Sequence, residues 1–207
     1  VLLAWAFVAT ILGSFLRYWV IYGVYGYGDA TGYTNYAEKQ SVLWRMGQFV
    51  YDNPDGGSIV GTFFLRLVTT AVYTFTGPSP IAAFVVFAAF SFWGQYLMYR
   101  AFRISLPDFD HRWYAVLIFF LPSFLFWPSS VGKEALLMAC LGAAAFGAAR
   151  LFQHDLGGLP LFAAGLVVSA MVRPHITALI VAAALAALLL RSPGQGRRSS
   201  LVVQVLG

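Results

Sequence analysis

Ser58-Ile-Val-Gly-Thr-Phe-Phe-Leu-Arg66-Leu-Val-Thr-Thr-Ala-Val-Tyr-Thr-Phe-Thr76 is the stretch on which the reading of this chain turns. It is apolar and close to the roughly 20 residues that a membrane-spanning helix needs. Yet Arg66 stands in its middle, and Thr69, Thr70, Tyr73 and Thr74 follow. If the stretch crosses a membrane, the next polar linker, Arg100 to Arg112, falls outside with three arginines. That opposes the bias of Lys and Arg toward the cytoplasmic side. If the stretch instead lies along the outer surface, every basic linker falls inside. The sequence therefore predicts an interfacial helix within an external first loop covering 23–78.

The rest of the chain is consistent with that frame. Of 207 residues, 60% are hydrophobic and only 10% are charged, against about 25% charged in soluble domains. Apolar runs fall at about 1–22, 58–76, 79–99, 113–127, 134–152, 159–172 and 174–190. They are continuous, whereas barrel strands would alternate. The expected fold is all-α, one polytopic transmembrane domain of about six to seven spans. The first run reads as a helix rather than a signal peptide. The segment 159–172 is short, but fusing 159–190 into one helix kinked at Pro174 would put Arg191, Arg197 and Arg198 outside. Two spans turning at Met171–His175 keep them inside. The chain opens without Met and stops at Gly207, just as another apolar run starts at Leu201, so it is expected to be part of a longer protein. The net charge of +5 is read for orientation and not for nucleic acid. Cys140 is the lone cysteine, so no internal disulfide forms.

This arrangement gathers four polar clusters on the outer face: a polar loop with Asp29 and Glu38, the surface helix with Arg66, the turn Trp127-Pro-Ser-Ser-Val-Gly-Lys133-Glu134, and Arg173-Pro174-His175. Helices that begin at Lys133 and at Pro174 would point their N-termini outward. Their unpaired N–H groups, with Lys133, Arg173 and His175, would form an anion site at the depth of lipid phosphates. Plainer readings stand beside this one. Asp29 would be a solvated charge, Lys133–Glu134 a self-neutralising pair with Ser129 and Ser130 as caps, Arg173 an interfacial residue, and His175 structural. Most of the tyrosines fall between Tyr18 and Tyr51, with Trp19 and Trp44, and suit an interfacial aromatic belt as well as a sugar-stacking surface. No metal-ligand spacing, phosphate-binding glycine loop or nucleophile elbow is present.

At this point the pattern resembles the GT-C membrane glycosyltransferases, which use polyprenyl-phosphate-linked sugars. In that family a first helix ends near an Arg, and an external loop follows with Asp in a Gly-Asp-x-x-x-Tyr context, then Tyr and Ala. Here these are Arg17, Gly28, Asp29, Tyr33, Tyr36 and Ala37. A third span ending in a Pro-containing stretch, with a polar cluster after it, matches Pro122-Ser123 and Trp127 to Glu134. The resemblance covers roughly residues 10–150. It departs where Ala30 follows Asp29 in place of a second acid, and where Lys133-Glu134 stands in place of an Asp. The resemblance implies a multi-pass protein of the cytoplasmic membrane with an external or periplasmic active face. Asp29 would be the general base on an acceptor hydroxyl of a glycan, lipid or protein. Lys133, Arg173 and Arg66 would hold the lipid phosphate, with Glu134, His175, Tyr33 and Tyr36 beside it. No cofactor is required, although room for a divalent cation is left.

Three other functions compete: a polymerase or ligase acting on polyprenyl-diphosphate glycans, a non-catalytic scaffold subunit within a membrane complex, and a transporter. The last fits least, because its ionisable residues would gather at the midplane and not at one face.

Overall fold

The computed structural model describes residues 1–54 and 56–189. Asp55, the linker with Arg191, Arg197 and Arg198, and the apolar start at Leu201 lie outside the described residues. Within them the chain is all-helical. Helix α1 (Leu2–Tyr18) runs on through a wider π-type turn, Trp19–Tyr25. Then come α2 (Asp29–Arg45), α3 (Thr62–Thr76), α4 (Pro80–Ser105), α5 (His111–Phe120), α6 (Pro122–Phe126), α7 (Lys133–Phe152), α8 (Leu159–Val172) and α9 (Pro174–Leu189). Among the described residues, three helical stretches are long and apolar enough to cross a membrane: Leu2–Tyr25, Pro80–Ser105 and Lys133–Phe152. Outward-facing Trp5, Leu12, Leu16, Leu179 and Leu185 are more than half exposed, as lipid-facing side chains are. These features mark a membrane protein.

Glycines set the centre. A Cβ on Gly94 of α4 would overlap the Met138 carbonyl of α7, and one on Gly142 of α7 would overlap the Gly94 carbonyl. The two backbones therefore touch at one crossing, the small-residue contact that helices use where no hydrophobic force draws them together. The other face of α7 repeats the device toward α8, with Gly147 against Phe162 and Gly165 against Cys140 and Ala144. Pro80 sits in the first turn of α4, where its missing N–H costs nothing, and Ser79 caps that helix by accepting from the Ala82 N–H.

The structure departs from the sequence reading in three places. First, Asp29 opens a 17-residue helix and does not lie in a loop. The segment is poor in apolar periodicity, so only its start signal was available: Gly28 at φ 150° and an acid in the first turn. Second, the run 113–127 is interrupted at Leu121, because Pro122 has no N–H to continue the ladder, and it forms α5 and α6. Third, the threonines that made 58–76 look polar are satisfied internally. Thr69 and Thr70 are fully buried, and their hydroxyls donate to the Leu65 and Arg66 carbonyls at 2.8 Å each.

Helix α3 nevertheless keeps both its ends at one end of the bundle: its first residue, Thr62, accepts from Lys133 at the start of α7, and its last, Thr76, closely precedes α4. Tyr18 and Tyr22, late in the first helix, pack on Phe84 in the second turn of α4, and Phe7 packs on Phe92 further along. So α4 starts at the end of the bundle where α1 finishes, and α2 and α3 return the chain to the end they left. Arg45 at the end of α2 caps α3, donating to the carbonyls of Tyr73 and Thr74.

At the far end, Gln153 donates to the Ile104 carbonyl at 2.7 Å, tying the end of α7 to the end of α4. Arg100, Arg103, Arg112 and Arg150 all belong to this far end. Between α8 and α9 only Arg173 is non-helical. The hydroxyls of Ser169 and Thr177 are 2.6 Å apart, whereas eight residues of continuous helix would separate them by about 12 Å. The chain therefore turns sharply at Arg173.

Candidate functional site

A cavity of about 550 Å³ lies where the end of α1, the start of α2, the α6–α7 turn and the α8–α9 turn meet. Its size falls within the range of about 300–1,000 Å³ usual for small-molecule sites. Five of the residues singled out in the sequence line it: Asp29, Tyr33, Lys133, Glu134 and Arg173. Helix starts bring them there. Asp29 and Lys133 are the first residues of α2 and α7, and Arg173 directly precedes α9. The caps on α7 are not the serines. Gly132 takes the N-cap position, and the Ser129 hydroxyl donates back to the Leu125 carbonyl.

The charges divide clearly. Glu134 accepts from Arg173 Nη2 at 2.8 Å, so it pairs across the turn and not with its neighbour Lys133. Lys133 Nζ donates to the Thr62 hydroxyl at 3.1 Å and has no ion pair among the described residues. Asp29 is exposed, and its carboxylate has no hydrogen-bond partner among the described residues. Tyr33, one turn after Asp29, is buried. Burial pushes its hydroxyl pKa up, and the Asp29 charge pushes it further. Tyr33 is therefore held as a neutral hydrogen-bond donor.

Arg17 is the residue that sequence reasoning left out of the site. Its guanidinium carbon lies 4.6 Å from the ring centres of both Phe126 and Trp127. Gly13, one turn earlier, makes this contact: a Cβ there would press on the Leu125 carbonyl, so only glycine lets α1 approach α6 this closely. A Gly-x-x-x-Arg spacing at the end of an apolar run was the signal available. The Arg17 Nε is buried without a hydrogen-bond partner, and Arg17 lines the cavity.

Three expected residues stand elsewhere. The Tyr36 hydroxyl donates to the Asp52 carbonyl at 2.7 Å, and Arg66 stacks over the Tyr36 ring at 5.5 Å. His175 is exposed in the first turn of α9 and does not line the cavity.

The cavity thus holds three cations, Arg17, Lys133 and Arg173, against two carboxylates, Asp29 and Glu134. Such a donor set suits an anion. Of the two carboxylates, Glu134 is engaged by Arg173, and Asp29 is the other acid in the lining. Among the described residues no group of three His, Cys, Asp or Glu side chains is placed to hold a metal ion.

Comparison with protein families, with curated proteins and with solved structures finds no match to this chain.

Proposed function

We propose that this protein is an inverting membrane glycosyltransferase that takes a sugar from a polyprenyl-phosphate donor at the outer face of the cytoplasmic membrane. The observation that carries the reading is the single cavity that sets the unpaired Asp29 carboxylate among Arg17, Lys133 and Arg173. The donor's phosphate sits among the cations. The acceptor hydroxyl approaches Asp29, its oxygen attacks the sugar C1, and its proton passes to the carboxylate. The C1–O bond to the phosphate breaks, and polyprenyl phosphate leaves with the electron pair. The cations stabilise the charge that grows on that leaving group. Tyr33, kept neutral, orients the sugar or the phosphate. The leaving group is already a stable phosphate, so the mechanism uses no metal.

The membrane frame belongs to the same proposal. Helices α1, α4, α5 with α6, α7, α8 and α9 serve as six spans, with α2 and α3 at the outer surface. Two features support it. The α5–α6 segment has His111 at the cavity of the far end and Phe126 at the Asp29 cavity. Arg100, Arg103, Arg112 and Arg150 gather at the end opposite Asp29, the cytoplasmic end by their charge. The cavity is open and Asp29 is exposed, which suits turnover better than a scaffold role.

The test is turnover of a polyprenyl-phosphate sugar by the purified protein and by Asp29→Asn, with binding of the same donor measured in parallel. Loss of a general base lowers turnover by about 10²–10⁴-fold, while donor binding persists because the cations are untouched. Unchanged turnover in Asp29→Asn removes Asp29 from the chemistry.

A further inference from the structure

We propose that the far end of the bundle carries a second anion site, one that takes the phosphate of an anionic membrane lipid. It does not depend on the reading of the Asp29 cavity. A separate cavity of about 650 Å³ opens there between the start of α1, the end of α4 and the start of α5. Arg100 and Arg103 enter it from successive turns of α4, and Arg112 from the first turn of α5. None of the three has an ion pair among the described residues. The nearby Asp110 is used otherwise, accepting the Arg112 backbone N–H at 2.9 Å as the cap of α5.

A bias toward cytoplasmic arginines does not by itself explain this arrangement. Arg150 lies at the same end, and it is paired with Asp155 at 2.7 Å. The three cavity arginines instead share a lining that includes no carboxylate, an arrangement opposed by mutual repulsion until an anion arrives. Rings hold the guanidinium groups of two of them: Arg100 donates to the Tyr96 hydroxyl at 3.1 Å and lies over Phe146 at 5.3 Å, and Arg103 lies over Tyr99 at 5.9 Å. Rigid, planar forks of this kind match phosphate oxygens. Beside His111, the remaining wall is largely apolar, with Leu2, Leu3, Ile104 and Ala115. A soluble phosphate has no use for that wall, whereas the glycerol and first acyl carbons of a lipid do. Exposed Phe109 and Trp113 at the same level set the depth at the headgroup layer. An anionic diacyl phospholipid such as phosphatidylglycerol has the required chemistry.

Native mass spectrometry of the full chain, released from micelles holding equimolar phosphatidylglycerol and phosphatidylcholine, tests this. One retained phosphatidylglycerol, in clear preference to phosphatidylcholine, is expected. Arg103→Gln and Arg112→Gln, both at exposed positions, should each weaken retention about fivefold, the value of one basic residue near an anionic surface. Arg150→Gln should leave retention unchanged, and excess inorganic phosphate should not displace the lipid. Matched melting temperatures confirm that the variants are folded. Equal retention of phosphatidylcholine overturns the proposal, as does an equal loss in Arg150→Gln. Displacement by inorganic phosphate also overturns it, assigning the cavity to a soluble phosphate.

Discussion

Substituting Gly94 with alanine probes the crossing on which every other placement depends. A Cβ at this position meets the Ala139 backbone nitrogen at 2.6 Å and the Met138 carbonyl closer still. Ordinary contact needs about 3.5 Å, so α4 and α7 must part by about 1 Å. Backbone cannot swing aside as a side chain can, which puts the overpacking cost near the upper end of its usual range, about 3 kcal/mol. Alanine returns about 1 kcal/mol through its better helix propensity. The net loss is about 2 kcal/mol, or about 4–8 °C in melting temperature for a chain of this size. Gly32→Ala is the matched control. Gly32 is helical, and nothing lies within 4 Å of its added Cβ, so only the propensity gain remains and the melting temperature should rise slightly. Gly142 faces the same crossing, so Gly94→Ala with Gly142→Ala should lose less than the sum of the two, because parting the helices once serves both methyls. The assay is thermal unfolding of the purified protein in detergent. Equal shifts for Gly94→Ala and Gly32→Ala, or strict additivity of the double variant, would refute the reasoning.

Other consequences follow from the site and the far end. Arg173→Gln should change stability by less than about 1 kcal/mol, because its partner Glu134 is well exposed, yet lower turnover about 10²-fold through loss of charge on the leaving phosphate; an unfolding curve and a transfer assay separate the two. Arg17→Gln should weaken donor binding, read as a rise in the donor's KM, although Arg17 forms no ion pair among the described residues. Asp155 is held below the ordinary carboxylate range, first by its hydrogen bond from Arg150 and then by the Gly157 N–H. Its contribution to stability is therefore present above that range and lost as pH falls through the lowered value. Asp155→Asn should flatten this acid limb in melting temperature measured against pH.

The helical class and the principal helices were legible because apolar runs of such length admit little else. The helix starts at Lys133 and Pro174 were legible from the charge and proline signals. Helix α2 was hidden: Asp29 to Arg45 mixes Gly, Thr, Asn and Tyr, and its buried face, Ala30, Tyr33, Thr34, Ala37, Gln40 and Ser41, is of small or polar residues and one tyrosine, which carry little hydropathy signal. The burial of Thr69 and Thr70 was hidden for a related reason, since a hydroxyl bonded within its own helix no longer counts as polar. Of the site, the residues at helix starts were found and Arg17 was missed. Its role arises from the approach of α1 to α6 at Gly13, a pairing between segments that no local pattern encodes. Tyr36, Arg66 and His175 shared a predicted face with the site, but a shared face is coarser than a shared cavity.

The two-ended architecture underlies both proposed sites, and single-cysteine labelling in intact cells tests it most directly. In a Cys140→Ser background, cysteines would replace Tyr27 and Trp127 beside the Asp29 cavity, and Phe109 beside the arginines. All three positions are exposed. A membrane-impermeant maleimide is expected to label positions 27 and 127 from outside and to reach position 109 only after the cells are opened. Labelling of position 109 together with position 27 in intact cells, or a split between positions 27 and 127, would contradict the two-ended architecture.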